Sequence, residues 1–131
     1  MNIATHLGID RAWCGEPTSV GAGAASVQLT TTAAMGADAH GLVHGGFVFG
    51  AADYAAMLAV NDPFVVLGAA ETRFLAPVRV GERVVCEATV VAPSPRKNVV
   101  EVVARVGDRV VLTGTFTAFV LERHVLEGRK E

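Results

Sequence analysis

Charge of one sign, cysteine and aromatic residues are all scarce in this chain of 131 residues, and each shortage excludes a class of protein. The formal net charge is −2 and no block of like charges occurs, which argues against nucleic acid as a partner because phosphate binding needs clustered Lys and Arg. The two cysteines, Cys14 and Cys86, lack metal or redox spacing. A disulfide framework is therefore not expected, and a reducing cytoplasm fits.

Targeting and membrane-spanning segments are also lacking. Residues 1–6 have neither the basic region nor the long apolar run of a signal peptide. Residues 42–60 are apolar, but glycines, His44 and Asp53 interrupt them. The segment is therefore not expected to form a membrane-spanning helix. We expect a soluble cytoplasmic protein with no membrane partner.

What the chain does contain is small apolar residues. Hydrophobic residues make up 51% and aromatics only 6%, so most of the apolar content is Ala and Val. This composition suits a tightly packed sheet with a small-residue helix, and it suggests that another subunit covers some apolar surface. The length predicts one domain over residues 1–131.

The order of elements predicts an α+β fold. Residues 45–60 form the one candidate for a long helix, apolar almost all round and so buried, and Asn61-Asp62-Pro63 ends it. The remaining expectations are a short helix over 2–12, a strand over 26–32, a loop over 36–43, and four strands over 64–75, 83–92, 98–106 and 109–121. One antiparallel sheet curling around one central helix satisfies this pattern.

Polar residues concentrate around the start of the predicted helix. Gly45 and Gly46 follow His44 there, and the first amides of a helix have no internal partner. Glycine permits a substrate carbonyl to approach, and the helix dipole favours developing negative charge. The sequence therefore predicts an oxyanion site at this helix start.

Asp53 is a carboxylate in the middle of this apolar helix, where it is costly unless paired or functional. It lies about 12 Å along the helix from Gly45, at 1.5 Å per residue, so the two cannot act on one carbonyl within one chain. If two copies of the helix run antiparallel across a two-fold axis, the start of one approaches the middle of the other. Two composite sites then form in a homodimer.

These residues carry a family resemblance that spans roughly residues 20–121. The segment 38–46 (Asp-Ala-His-Gly-Leu-Val-His-Gly-Gly), followed by Asp53, resembles the HGG segment of hotdog-fold acyl-CoA thioesterases of the phenylacetate-pathway type. The segment 74–81 (Phe-Leu-Ala-Pro-Val-Arg-Val-Gly) is similar to the strand and turn that follow the central helix in that family. The resemblance implies a hotdog fold, in which an antiparallel sheet wraps around a long central helix.

The resemblance also implies roles for individual residues. The Gly45 amide would polarise the thioester carbonyl, His44 would shape that end of the site, and Asp53 of the partner subunit would act as general base or as nucleophile. Acyl-CoA would be the substrate, with no metal or redox cofactor. The acyl group would enter between subunits that form a homodimer or a dimer of dimers, near Gly46, Phe47, Tyr54 and the small residues Gly68, Ala69 and Ala70.

The chain departs from the family pattern at two places. Asp38, which the resemblance places among the catalytic residues, stands where this subfamily often has Asn, and a second carboxylate near Asp53 would raise one of the two pKa values. Some relatives carry a Ser or Thr on the strand after the helix to hold the water, but Leu67 or Gly68 occupies that position here, with Thr72 as a possible substitute.

Several other charged residues can be interpreted either as functional or as structural. Arg96 and Lys97, in the hairpin connection at 93–97, could bind CoA phosphates or simply belong to a charged turn; Arg79 and Arg83 are weaker candidates. Glu71 and Arg73 alternate on one strand face and read as structural or interface charges. Asp38, His40 and His44 could form a metal site, but the glycine-flanked histidine fits the thioester interpretation better.

Two other functions remain open. One is a non-catalytic acyl-CoA-binding or effector-sensing hotdog domain, which the missing hydroxyl near position 67 favours and Asp53 disfavours. The other is a hotdog dehydratase acting on a hydroxyacyl thioester, which the HGG segment fits less well.

Overall fold

A computed structural model describes residues 1–127, in which one long helix lies against a six-stranded antiparallel sheet. The helices are α1 (Arg11–Cys14) and α2 (Gly45–Val60), and a 3₁₀ turn (Ala33–Met35) precedes the loop that leads to α2. The strands are β1 (Glu16–Gly21), β2 (Ala24–Thr30), β3 (Val65–Phe74), β4 (Arg83–Ala92), β5 (Lys97–Val106) and β6 (Arg109–Val120).

The strands lie in the order β1-β2-β4-β5-β6-β3, and α2 packs against the inner face of the sheet. This confirms the predicted α+β architecture of the hotdog fold. The strand expected over 26–32 is β2, and the four strands expected after the helix are β3 to β6. The predicted helix over 45–60 is α2, and most of its side chains are buried: Val48, Ala51, Ala52, Tyr54, Ala55, Ala56, Met57, Leu58 and Ala59. Within residues 1–127, no helix combines the length and apolar character needed to cross a membrane.

The predicted number of strands, five, was too low, because β1 was missed. Pro17 and few strand-forming residues conceal it in the sequence. The sheet tolerates this sequence because β1 is an edge strand, paired only with β2 and irregular between Pro17 and Ser19. Ala22 and Gly23, both with positive φ, make the tight turn that joins the two strands.

The predicted helix over 2–12 was also wrong in extent. Only Arg11–Cys14 is helical, with Asp10 as N-cap, its carboxylate accepting a hydrogen bond from the Ala12 amide. The preceding residues form an irregular N-terminal arm with a turn between His6 and Ile9, and Asn61, at the end of α2, holds the beginning of this arm by two hydrogen bonds. The Asn61 side-chain oxygen accepts from the Ala4 amide at 2.8 Å, and its nitrogen donates to the Asn2 carbonyl at 2.7 Å. Tertiary contacts, rather than helix propensity, shape this segment.

The strand β3 is the other edge of the sheet and pairs only with β6 among the described residues. Phe116 of β6 is fully buried and packs on Phe49 of α2, with ring centroids 5.5 Å apart. Because side chains alternate between faces, Ala70 and Thr72, opposite Phe116 and Gly114, share the inner face. Glu71 and Arg73 therefore lie on the outer face of this free edge.

Candidate functional site

The start of α2 is fixed to the sheet by backbone hydrogen bonds. The Val43 amide donates to the Val78 carbonyl at 2.8 Å, and the His44 amide donates to the Met35 carbonyl at 2.9 Å. An isolated bridge between Leu42 and Arg79 holds the preceding loop. The helix therefore begins at a position set by tertiary structure.

The first-turn amides of α2 are not capped by a side chain. His44 occupies the N-cap position with extended dihedral angles, yet its imidazole makes no capping hydrogen bond. The Phe47 amide bonds to the His44 carbonyl at 3.1 Å, whereas the amides of Gly45 and Gly46 donate to no acceptor among residues 1–127. Two free N–H groups at the positive end of a helix can stabilise an oxyanion.

Little space is left for a side chain at either of the first two residues of α2. A Cβ at Gly45 would lie 3.1 Å from Cε1 of Phe74, and a Cβ at Gly46 would lie 3.0 Å from Nε2 of His44. The His44 ring thus lies close to Gly46, and its predicted role in shaping this end of the site stays a prediction.

Asp53 lies eight residues further along α2 and is largely buried. Its Oδ1 atom is inaccessible and accepts no hydrogen bond within residues 1–127. Burial raises the pKa of Asp53 to about 6, which is the range in which a carboxylate is an effective general base near neutral pH. The cause is desolvation and not the second carboxylate at Asp38 that the sequence suggested.

Asp53 belongs to the one stripe of α2 that the subunit leaves partly open. Gly46, Phe49 and Gly50 share this stripe with it, at i, i+3, i+4 and i+7 spacing, and none of the four is fully buried. A Cβ at Gly50 would meet nothing within 4 Å. The helix places Gly45 and Asp53 about 12 Å apart, so one subunit does not bring them together.

Asp38 organises the loop before the helix. Its Oδ1 accepts hydrogen bonds from the amides of His40, at 2.9 Å, and Leu42, at 3.2 Å. The predicted catalytic part for Asp38 stays a prediction. Among residues 1–127 no three His, Cys, Asp or Glu side chains gather as a metal site would require, so Asp38, His40 and His44 do not form a ligand set.

The N-terminal segment supplies neighbours of Asp53 and Phe47 that sequence reasoning missed. Trp13 stacks on Phe47 with ring centroids 5.7 Å apart. Burial, followed by the charges of Asp53 and Asp10, raises the pKa of the Cys14 thiol, so this thiol lies near the candidate base. Only the arm's path over α2 creates these contacts; the Asp10 N-cap was the one local signal for α1.

Tyr54 and Gly68, both expected near the acyl group, have closely packed surroundings within the subunit. Tyr54 is 1% exposed, and its ring lies 6.1 Å from that of His6, inside the subunit. At Gly68 the space is already filled, because a Cβ there would overlap the ring of Phe119. Both residues serve packing in this subunit, and their contact with substrate stays a prediction.

Thr72 and Leu67 face the interior side of β3. Leu67 lies opposite Ala118, and Thr72 lies opposite Gly114, with its Cγ2 2.8 Å from where a Cβ of Gly114 would be. Gly114 therefore makes room for the Thr72 methyl. Which group positions a water is still a prediction.

Arg96 and Lys97 lie at the opposite end of the sheet from Gly45. The Arg96 carbonyl accepts from the Val120 amide at 2.8 Å, and Val120 pairs with Val65 at the start of β3. Arg96 also forms an exposed ion pair with Glu122 at 2.8 Å. Phe74, at the other end of β3, is the residue next to Gly45.

A cleft of about 390 Å³ opens beside Gly45 and was not expected from the sequence. Its lining is uncharged and mostly apolar, and includes Leu42, Gly45, Val48, Phe74, Leu75 and Val78. Phe74 and Leu75 are more than half exposed, at 56% and 55%. A larger hollow of about 1000 Å³ lies at Glu71, Arg73 and Glu101 on the sheet, but neither Gly45 nor Asp53 lines it.

Comparison with known proteins identifies the family of this chain. Residues 40–113, which include the helix start and Asp53, match the family described as the thioesterase superfamily. The chain belongs to the thioesterase superfamily.

Two curated relatives are longer than this chain. A protein of Aquifex aeolicus named methylthioribose-1-phosphate isomerase is 48% identical over 123 residues, which are 93% of this chain and 27% of that protein. The transcription factor FapR of Shouchella clausii is 35% identical over 79 residues, which are 60% of this chain and 41% of that protein. The chain thus spans less than half the length of either relative.

Solved structures of similar size share the whole fold. An uncharacterized protein of Pyrococcus horikoshii has a TM-score of 0.95 and 48% identity, covering 96% of this chain and 97% of the other. An Asn-to-Asp variant of the phenylacetic acid degradation protein PaaI from Thermus thermophilus has a TM-score of 0.78 and 30% identity, covering 85% and 96%.

Proposed function

We propose that this chain is an acyl-CoA thioesterase that hydrolyses its substrate at a site shared by two subunits. The observation that carries the proposal is the pairing of two features on α2. The amides of Gly45 and Gly46 are free, and about 12 Å away a buried carboxylate, Asp53, has no hydrogen-bond partner among the described residues. The free amides lack a carboxylate within reach, and the carboxylate lacks amides within reach. A second copy of the same helix, placed antiparallel, supplies each with the other.

The open stripe of α2 fits an antiparallel copy of itself. The midpoint between Gly45 and Asp53 is Phe49, so a two-fold axis there sets Gly45 of one subunit opposite Asp53 of the other. Gly46 and Gly50 remove side chains from this stripe, which permits close approach of two helices. The exposed edge of β3 offers backbone groups for the same partner.

In this arrangement the thioester carbonyl oxygen accepts a hydrogen bond from the Gly45 amide. The ionised carboxylate of Asp53 from the partner subunit either removes a proton from the attacking water or attacks the carbonyl carbon itself. In the first route the tetrahedral intermediate expels the CoA thiolate, which takes up the proton held by Asp53, and the acid leaves as a carboxylate. In the second route, loss of the thiolate leaves a mixed anhydride between the acyl group and Asp53, which water hydrolyses to the free acid and the regenerated carboxylate, and a proton released in that step goes to the thiolate. Both routes use the same two groups.

The uncharged cleft beside Gly45 suits the acyl group, because its lining offers apolar contact and no cation for an acyl carboxylate. Arg96 and Lys97 are remote from Gly45 of their own subunit, but antiparallel pairing brings that end of the sheet toward Gly45 of the partner. They are then placed to meet the CoA phosphates. No metal or redox cofactor enters this scheme, and a cytoplasmic location and a dimer of dimers remain predictions from the sequence.

The FapR relatives favour one other function, an effector-binding domain without turnover. In such a domain the acyl-CoA would occupy the same cleft and Asp53 would act only in binding. The raised pKa of Asp53 favours catalysis, because a desolvated carboxylate is costly to keep for binding alone.

The test is release of free thiol from short, long and aromatic acyl-CoAs by wild type, Asp53→Asn and the matched control Asp108→Asn. Asp108 lies exposed in the turn between β5 and β6. We expect wild type and control to hydrolyse one class of substrate, and Asp53→Asn to lose at least about a hundredfold. Quenching of Trp13, the single tryptophan, reports binding separately. Binding by wild type without thiol release from any substrate would identify an effector-binding domain instead.

A further inference from the structure

A buried side-chain amide without a partner lies at the end of the subunit that is remote from Gly45. Asn98, on β5, is only 8% exposed, and its side chain makes no hydrogen bond to another residue within 1–127. Its neighbours on the inner face of β5, Val100 and Val102, are apolar and buried. An amide buried among apolar groups destabilises a fold unless it is hydrogen-bonded, so packing within the subunit does not account for Asn98.

Asn98 lines a cavity of about 330 Å³ between the end of α2 and the inner face of the sheet. The other lining residues are small or apolar: Ala22, Gly23, Ala59, Val60, Val90 and Pro93. Of the lining residues within 1–127, Asn98 alone has a polar side chain. A single polar group in an apolar cavity at the lower end of the range of about 300–1000 Å³ is typical of a site for a small molecule.

The backbone holds the walls of this cavity in place. The Val90 amide of β4 donates to the Gly23 carbonyl at 2.8 Å, which joins the turn between β1 and β2 to the sheet. Gly23 has a φ of +78°, which residues with a side chain rarely adopt, and a Cβ there would lie 3.7 Å from Cβ of Val90. The cavity is therefore formed before a ligand arrives.

The chemistry of the lining fits a purine base. The Asn98 amide presents an acceptor oxygen beside a donor nitrogen, and adenine presents the matching pair, its amino group beside a ring nitrogen. Asparagine recognises adenine through these two hydrogen bonds in many complexes. The two flat faces of the base would contact the apolar side chains of Val60 on α2 and Val90 on β4. A bound adenine thus satisfies the one polar group of the cavity.

Two cations adjoin the cavity in the connection between β4 and β5. Pro93 of this connection lines the cavity, and Arg96 and Lys97 directly precede Asn98. Lys97 makes no ion pair among residues 1–127. The ion pair of Arg96 with Glu122 has side-chain exposures of 77% and 81%, so it is weak and open to competition. Both cations are therefore available to phosphate groups.

We propose that the cavity at Asn98 binds the adenine of an adenine nucleotide, with Asn98 bonding the edge of the base and Arg96 and Lys97 contacting the phosphates. CoA is such a nucleotide, and its assignment to this cavity rests on the proposed function. Val60 lies seven residues beyond Asp53 on the open stripe of α2, about 10 Å along the helix. A pantetheine arm is longer than this distance, so it can lead along the stripe from the thioester to the cavity. A free adenine nucleotide is the other source.

Asn98→Leu tests the base contact, because Leu has nearly the size of Asn and no hydrogen-bonding group. We expect calorimetry to show the dissociation constant of AMP or CoA raised at least about tenfold, the effect of lost bonds to a buried polar group, and that of phosphopantetheine unchanged. The variant should also melt at a higher temperature than wild type, because it removes an unpartnered buried amide. Thr89→Val, on the exposed outer face of β4, is the control and should bind as wild type does. Binding of both AMP and CoA that is insensitive to Asn98→Leu, or absent in wild type, would overturn the proposal.

The phosphate contacts have a test of their own that leaves the cavity untouched. Arg96→Gln with Lys97→Gln changes two exposed residues, so the subunit should fold normally. We expect this double variant to weaken the nucleotide that requires Asn98, and the weakening to shrink as salt is added. Affinity equal to that of wild type at low salt would remove Arg96 and Lys97 from the site.

Kinetics distinguish the two sources of the nucleotide. If the cavity holds the adenine of CoA, AMP should compete with acyl-CoA, and Asn98→Leu should raise KM with kcat unchanged, because the contact is remote from the reacting carbonyl. If the cavity holds a free nucleotide, AMP should bind together with acyl-CoA without competing, and Asn98→Leu should leave KM unchanged in the absence of AMP. Each result supports the adenine site and names its source.

The two proposals fail separately. If an adenine nucleotide binds and requires Asn98, but wild type hydrolyses no acyl-CoA, the adenine site stands and the thioesterase assignment falls. If wild type hydrolyses acyl-CoA with Asp53 required, while Asn98→Leu changes neither KM nor the affinity for any adenine nucleotide, the enzyme stands and the adenine site is refuted.

Discussion

Gly45 at the start of α2 lies against the ring of Phe74 at the end of β3, so closely that a Cβ at Gly45 would come within 3.1 Å of Cε1. This contact joins the proposed oxyanion site to the last residue of the edge strand and forms one wall of the apolar cleft. It therefore couples the helix start to the strand that we expect to carry the interface.

Substitution of Gly45 by Ala should reduce kcat/KM at least about tenfold, because the methyl group enters the space in which the carbonyl approaches the amide. The measurement is thiol release with the best acyl-CoA. Because the methyl also presses on Phe74, the control is the double variant Gly45→Ala with Phe74→Leu. If the double variant regains full activity, the loss came from the displaced ring and not from the blocked carbonyl.

Replacing Asp53 with Asn should stabilise the protein at neutral pH while removing activity. The carboxyl keeps its proton up to about pH 6 in the folded protein, against an ordinary value of 3.8. The folded state therefore binds more protons in that window, and wild type loses stability as pH rises through it. Asn does not ionise, so we expect equal melting temperatures near pH 3.5 and a higher one for the variant at pH 7 and above. A difference in melting temperature between wild type and Asp53→Asn that does not change with pH would contradict this expectation. The control variant is Asp108→Asn.

The activity of wild type should follow the same ionisation. Base or nucleophile catalysis requires the charged carboxylate, so kcat/KM should rise with pH and level off above about pH 6, where Asp53 is ionised. The measurement is a pH profile of thiol release under subsaturating substrate. A profile that is flat from pH 5 to 8 would assign the catalytic step to another group.

Gly50→Leu should dissociate the dimer without unfolding the subunit. A side chain at Gly50 meets nothing within 4 Å in its own subunit, and Leu is a better helix former than Gly. The bulk would instead push away the partner helix, and activity should fall with the dimer at each protein concentration. The matched control is Gly21→Leu on the edge of β1, where a Cβ also meets nothing within 4 Å; it should leave sedimentation and activity unchanged.

Gly68→Ala should destabilise the subunit, because the added methyl overlaps the ring of Phe119. Overpacking of this kind costs about 1–3 kcal/mol, which urea unfolding can measure. Phe119→Leu in the same chain should recover most of the loss by removing the ring. A neutral Gly68→Ala would mean that the small residue serves the substrate and not the packing.

Local patterns were sufficient for the central helix and for five of the six strands. The apolar run from Gly45 to Val60 and its end at Asn61 are local signals for a helix. The alternating valines of β4, β5 and β6 show the two-residue period of a β-strand directly in the sequence. The resemblance around His44, Gly45 and Asp53 places the predicted site on this helix. The strand β1 was missed because its sequence is a poor strand former, and pairing with β2 decides its structure.

Contacts with residues distant in sequence decided the rest. Neither Trp13 nor Cys14 carries a signal that would bring it to α2; the arm reaches Phe47 and the neighbourhood of Asp53 because Asn61 holds its beginning. Likewise, Gly68 was predicted from the sequence to leave room for a substrate. The sequence does not show that the ring of Phe119, on β6, lies against this glycine.

The sequence by itself determined the α+β class, the buried helix, and which amide, glycine and carboxylate groups this helix carries, since these are fixed by residue type and spacing. Only the tertiary structure decided which groups lack partners. The raised pKa of Asp53, and the Gly45 amide that finds no acceptor among residues 1–127, depend on what surrounds each group. Burial and the absence of a neighbour arise from the packing of the whole chain, and no local stretch of residues encodes them.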